Sequence, residues 1–95
     1  MNDDPTIVRH VVIHGRVQGV GYRAWTEQIA IERGLAGWVR NRRDGSVEAN
    51  ISGSAEAVAT MIAWCREGPP GASVDHVAVE IGEPCSGGFE QRPTV

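Results

Sequence analysis

From Gly15 to Arg23 the chain reads Gly-Arg-Val-Gln-Gly-Val-Gly-Tyr-Arg, with three glycines in seven residues and an arginine at the end. A β-branched run, Ile7 to His14, precedes it, and a helical pattern follows. Strand, glycine loop and helix start, in that order, make an anion site. The first amides of a helix have no partner within it, and the dipole favours negative charge there. Glycines let several amides turn toward one point with no Cβ in the way. Arg23 stands where loop becomes helix, and its planar, permanently charged fork suits phosphate oxygens. A tight connection between two elements would use the same residues, so the glycines alone leave both readings open.

A second candidate is Asn41, at the end of Gly37-Trp38-Val39-Arg40-Asn41 and ahead of Arg42-Arg43-Asp44-Gly45. A carboxamide both accepts and donates, so it can place a water molecule without removing its proton. An asparagine leading into a hairpin turn is the commoner reading of this residue by itself. Other catalytic patterns are missing. The loop holds no Cys or His nucleophile, and no paired carboxylates mark a metal site. His10 and His14 share a strand face but lack a third ligand, and they read as solvent-facing sheet residues. The phosphate loop of nucleotide triphosphatases, with its Gly-Lys-Ser/Thr ending, is absent. Gly19-x-Gly21-x-x-Ala24 satisfies the dinucleotide fingerprint formally, but that fingerprint needs a parallel crossover. Asp44-Gly45 instead joins the next two strands as a hairpin.

The elements that must carry these residues follow from periodicity. Ile7–His14 is a strand, with Ile7, Arg9, Val11 and Ile13 on one face. Arg23–Arg33 is a helix with Trp25 and Ile29 toward the core and Gly34 as its stop. Ala36–Arg42 and Ser46–Ser52 are the hairpin strands, the second alternating through Val47, Ala49 and Ile51. Ser54 caps a second helix, Glu56 suits its first turn, and Val58, Met61, Ile62 and Cys65 form its apolar stripe. Gly68-Pro69-Pro70-Gly71 ends it, Val74–Ile81 is a strand, and Phe89–Arg92 is a short edge strand. The order βαββαβ is the ferredoxin-like split βαβ arrangement: an α+β sandwich with two helices on one face of an antiparallel sheet of four main strands. Residues 1–5 read as a disordered tail and residues 6–95 as one domain.

Bulk properties narrow the function. Ninety-five residues with 41% hydrophobic content support a single modest core. A net charge of -3 argues against nucleic-acid binding, since phosphate contacts dominate that affinity. Cys65 reads as a buried reduced thiol and Cys85 as a loop residue. The acidic start Met1-Asn2-Asp3-Asp4-Pro5 is unlike a secretory signal, and no apolar run is of spanning length. The expected location is the cytoplasm, with no membrane association.

Together the two segments resemble the acylphosphatase family. The first signature stands as Gly15-Arg16-Val17-Gln18-Gly19-Val20-Gly21-Tyr22-Arg23. The second stands as Gly37-Trp38-Val39-Arg40-Asn41 with Gly45, Val47 and Gly53 following. Similarity continues through Gly68-Pro69 and Ala72-x-Val74 toward Phe89. Gly21 stands where many members carry a larger residue, and Arg33 where an apolar one is expected. The resemblance implies hydrolysis of the carboxyl-phosphate bond of acyl phosphates, releasing carboxylate and inorganic phosphate by direct in-line attack of water. It implies that Arg23 binds phosphate, that Asn41 orients the water, and that the amides of Arg16, Val17, Gln18, Gly19, Val20, Gly21 and Tyr22 form the cradle. It further implies no metal and no cofactor, and a monomer is the expected state. Two alternatives stand beside this reading: a catalytically silent anion-binding or regulatory domain, and a ferredoxin-like RNA-binding module.

Overall fold

Val8, Val11, Val12 and Ile13 favour extended backbone because their branched side chains restrict χ1 and pack well on a pleated surface. In the computed structural model, which describes residues 5–95, they lie within β1 (Thr6–Arg16). The expected tail falls on residues 1–4, outside the described residues, and on Pro5, which is exposed. The chain continues as α1 (Tyr22–Glu32), β2 (Ala36–Asn41), β3 (Val47–Ser54), α2 (Ala55–Glu67), β4 (Ser73–Ile81) and β5 (Phe89–Arg92).

The strands form one sheet in the order β4-β1-β3-β2-β5. The pairs β1–β3, β1–β4 and β2–β3 are antiparallel, while β5 lies parallel to β2. The four main strands are antiparallel as expected, and the short edge strand β5 makes the sheet mixed and five-stranded. After β4 the chain crosses from one edge of the sheet to the other, and it enters beside β2 in the same direction. Both helices cover one face, where Val11, Ile13, Val39, Val47, Ala49 and Ile51 are fully buried.

The second helix follows its sequence signals closely. Ser54 Oγ accepts from the Ala57 amide at 3.1 Å, and Val58, Met61 and Cys65 are fully buried. The first helix departs from expectation. Its buried positions are Tyr22, Thr26 and Ala30, while Trp25 and Ile29 pack only partly against the core. The smaller Thr26 and Ala30 face the sheet, and Trp25 sits edge-on to Tyr22 with ring centres 5.3 Å apart. Cys65 is buried and Cys85 half-buried, both as free thiols. Burial pushes the Cys65 thiol up to about 12.

The face opposite the helices is polar but not open. Glu48, Asn50 and Ser52 of β3 are nearly as buried as the core residues alternating with them. The Asn50 carboxamide donates to the Glu83 carbonyl at 2.8 Å and accepts from the Glu83 amide at 3.3 Å, clamping the β4–β5 connection over the sheet. Glu48 accepts from Arg40 Nε at 2.7 Å and bonds His10 Nε2 at 2.6 Å. Burial alone would raise the Glu48 carboxyl; the bonds from Arg40 and His10 outweigh it and hold it below its ordinary value.

Two outcomes follow from this packing. Gly37 has φ 136°, and a Cβ there would overlap the Asn50 carbonyl of β3. Gly37→Ala should cost about 2 kcal/mol or more in chemical denaturation. Because the folded pKa of Glu48 is depressed, its contribution is present above the unfolded value of 4.5 and is lost as pH falls through the lower folded value. Glu48→Gln should therefore be less stable than wild type by about 1–2 kcal/mol near neutrality. That difference should shrink in acid below the carboxylate range, as read from denaturant midpoints across pH.

Candidate active site

Residues leaving β1 enter the loop through a register shift between His14 and Gly15, where β1 still pairs with β4. Gly19 and Gly21 then take φ 78° and 77°, the left-handed region that glycine enters without steric cost. Gly21 occupies the N-cap of α1 with no side-chain cap, so the amides of the first turn have no capping partner. Among the described residues, neither a backbone carbonyl nor a side chain accepts from the amides of Gln18 through Ala24. The first bond of the helix runs from the Trp25 amide to the Gly21 carbonyl at 3.0 Å.

A loop whose amides are unspent internally must be held from outside. The Gln18 carboxamide donates to the carbonyls of Arg42 at 2.7 Å and Ser46 at 2.9 Å, tying the loop to the β2–β3 turn. That turn is closed by its own bond from the Arg42 amide to the Ser46 carbonyl at 2.9 Å. Asp44 accepts from the Ser46 hydroxyl and amide, and these bonds hold its carboxyl below the usual range. At the other end of the loop, the Tyr22 hydroxyl donates to the Cys65 carbonyl of α2. Burial pushes the Tyr22 phenol well above its usual value, so it stays a neutral donor.

Arg23 and Asn41 meet at one cavity of about 210 Å³. Strand parity places Asn41 there. It pairs with the buried Val47 and shares the helix-facing side of β2 with Val39. Arg23 enters from the first turn of α1, and one of its nitrogens lies 3.4 Å from the Arg92 carbonyl of β5. Of the expected cradle residues, Val17, Gln18, Gly19, Gly21 and Tyr22 line the cavity. Arg16 and Val20 do not: Arg16 ends β1 opposite Ser73, and the Val20 side chain packs toward the core near Gly71.

Two lining residues, Ala24 and Gln91, escaped the sequence. Gln91 lies on the helix-facing side of β5 opposite Val39, and its amide donates to Glu27 of α1 at 2.8 Å. Its only sequence signal was alternation with Phe89 in a strand too short to orient. Arg40 points to the opposite face of the sheet and is bound to Glu48. Arg42 remains near the turn, with a loose 3.9 Å approach to Asp44.

Comparison with known proteins identifies the family and the fold. The acylphosphatase family profile matches residues 9–90. An acylphosphatase of Azorhizobium caulinodans is 56% identical over 88 residues, covering 90% of this chain and 95% of its own. The structure of an acylphosphatase from Coxiella burnetii superposes with a TM-score of 0.89 at 34% identity, covering 97% of this chain and all of that one. The Bacillus subtilis acylphosphatase gives a TM-score of 0.80 at 32% identity, covering 94% of this chain and 97% of its own.

The loop anchor can be tested apart from catalysis. Gln18→Ala removes two bonds to the turn and should lower stability by about 1–2 kcal/mol in denaturant titration. It should also lower kcat, because the loop and Asn41 lose their common brace. A profile that spans most of the chain, together with a relative this similar along nine tenths of it, shows that the protein belongs to the acylphosphatase family.

Proposed function

We propose that Arg23 and the glycine-loop amides bind the phosphate of an acyl phosphate while Asn41 holds the water that attacks it. Acyl phosphate hydrolysis is the reaction of the family, and this enzyme is a hydrolase acting on that mixed anhydride. The observation that carries the residue roles is the meeting of Arg23, Asn41 and the uncapped start of α1 at one cavity.

The chemistry needs little more. The leaving group is a carboxylate, already a weak base, so its departure calls for no general acid. Phosphoryl transfer passes through a loose transition state, and catalysis is then mostly positioning and charge stabilisation. Amides and guanidinium supply the charge stabilisation without reorganising. Asn41 supplies position: its carboxamide oxygen accepts from water while its nitrogen donates to a phosphate oxygen. The water oxygen bonds to phosphorus in line with the breaking P–O bond, the electron pair of that bond leaves with the carboxylate, and the water proton passes to a phosphate oxygen. The products are carboxylate and inorganic phosphate. No step in this scheme calls for a metal. The cavity suits the phosphate and the atoms next to it, so the acyl group is selected only loosely.

The same reading takes the protein as a cytoplasmic monomer that does not bind nucleic acid. No helix among the described residues is long and apolar enough to cross a membrane. The sheet aromatic that could stack a base, Trp38, already carries the guanidinium groups of Arg40 and Arg92 at 4.6 and 4.9 Å from its ring centre.

Hydrolysis of an aryl acyl phosphate, followed in the presence of a chelator, tests the assignment. Arg23→Ala should raise KM and lower kcat, with kcat/KM falling by about 10³-fold or more. Asn41→Ala should lower kcat by about 10²–10³-fold with KM near the wild-type value. Wild-type turnover should survive the chelator unchanged. An Asn41→Ala enzyme at wild-type rate, or loss of turnover in chelator, overturns the scheme.

A further inference from the structure

The three histidines of the chain do not share one environment. His10 is bound to Glu48. His14 and His76, by contrast, have no hydrogen-bond or ion-pair partner among the described residues, and both are exposed. They stand directly opposite each other on β1 and β4, the last register pair before the shift at Gly15. Their rings lie nearly parallel, 27° apart, with centres separated by 5.9 Å.

Two exposed imidazoles side by side on paired strands can chelate one ion between them. Metal–nitrogen bonds of about 2.0–2.1 Å put the centres of two imidazoles on one ion about 5–6 Å apart, depending on the angle at the ion. The observed spacing falls within that range. Imidazole nitrogen is a ligand suited to nickel, copper and zinc. Among the described residues no third His, Cys, Asp or Glu completes a larger ligand group, so water would fill the remaining positions.

We propose that His14 and His76 form a two-imidazole site for a divalent transition-metal ion on the sheet face away from the helices. The site staples β4, an edge strand, to β1 at the point where the glycine loop leaves the sheet. It takes no part in hydrolysis, since neither histidine lines the cavity shared by Arg23 and Asn41.

Titration of the untagged protein with Ni2+, followed by calorimetry and by the histidine NMR signals, tests the site. One ion should bind per chain, with the His14 and His76 signals perturbed. His14→Ala and His76→Ala should each weaken binding by about 10-fold or more, because either one destroys the chelate. His10→Gln and Cys85→Ser should keep wild-type affinity. Free Ni2+ at ten times its Kd should lower the unfolding constant of the wild type about 11-fold and leave that of His76→Ala little changed. All four variants should turn over substrate at wild-type rate without added metal, which also shows that they fold. Undiminished binding in the His14→Ala/His76→Ala protein overturns the proposal. So do two equal independent sites, each lost with one histidine.

Discussion

A loop that is to grip an anion with its main chain cannot spend its amides on itself. This constraint governs the region from Gly15 to Arg23. The left-handed turns at Gly19 and Gly21 and the uncapped start of α1 leave donors without partners. An unspent loop has no internal ladder to fix its shape, so neighbouring elements must fix it. The Gln18 carboxamide grips the β2–β3 turn, the Tyr22 hydroxyl grips α2, and Gly15 lies too close to the β4 backbone to admit a side chain. Three parts of the fold thus brace one short segment. The loop is as rigid as the contacts around it.

The strand β2 serves two purposes because its residues alternate. Its helix-facing side carries Val39 into the core and Asn41 to the cavity. Its other side carries Trp38 and Arg40 into a polar layer with His10, Glu48 and Arg92. That layer bonds β1, β3 and β2 to one another through side chains as well as backbone. It also gives the crossing from β4 to β5 something to rest on, through Asn50. The crossing brings β5 to the far edge of the sheet, where its Arg92 carbonyl and Gln91 stand beside Arg23 and α1. Polar residues that look like an exposed strand face therefore sit underneath the route by which one wall of the cavity is delivered.

The parts of the fold set by near neighbours were legible in the chain. Ser54 as a cap, the stripe from Val58 to Cys65, the Asp44-Gly45 turn and the glycine loop before α1 all express interactions spanning a few residues. Such interactions leave their period and spacing in the sequence. Arg23 and Asn41 each sit at the end of such an element, but a plain turn reading stood beside each until the two segments were taken together as a family signature.

What the sequence left undetermined depends on which distant residues become neighbours. Nothing near Phe89 says that β5 will run parallel to β2, because that direction is imposed by the crossing and its anchor on Asn50. The burial of Glu48 has the same origin, as does the presence of Gln91 in the cavity wall. Arg40 faces away from the cavity because the pairing of β2 with β3 sets it against Glu48. His14 shares a strand face with His10, its neighbour by strand period, but the β1–β4 register sets it against His76. Local chemistry thus determined the loop and the helices, while the family signature marked Arg23 and Asn41. Only the tertiary structure decided what surrounds them, since register and strand direction are properties of pairs of segments, and neither segment encodes them alone.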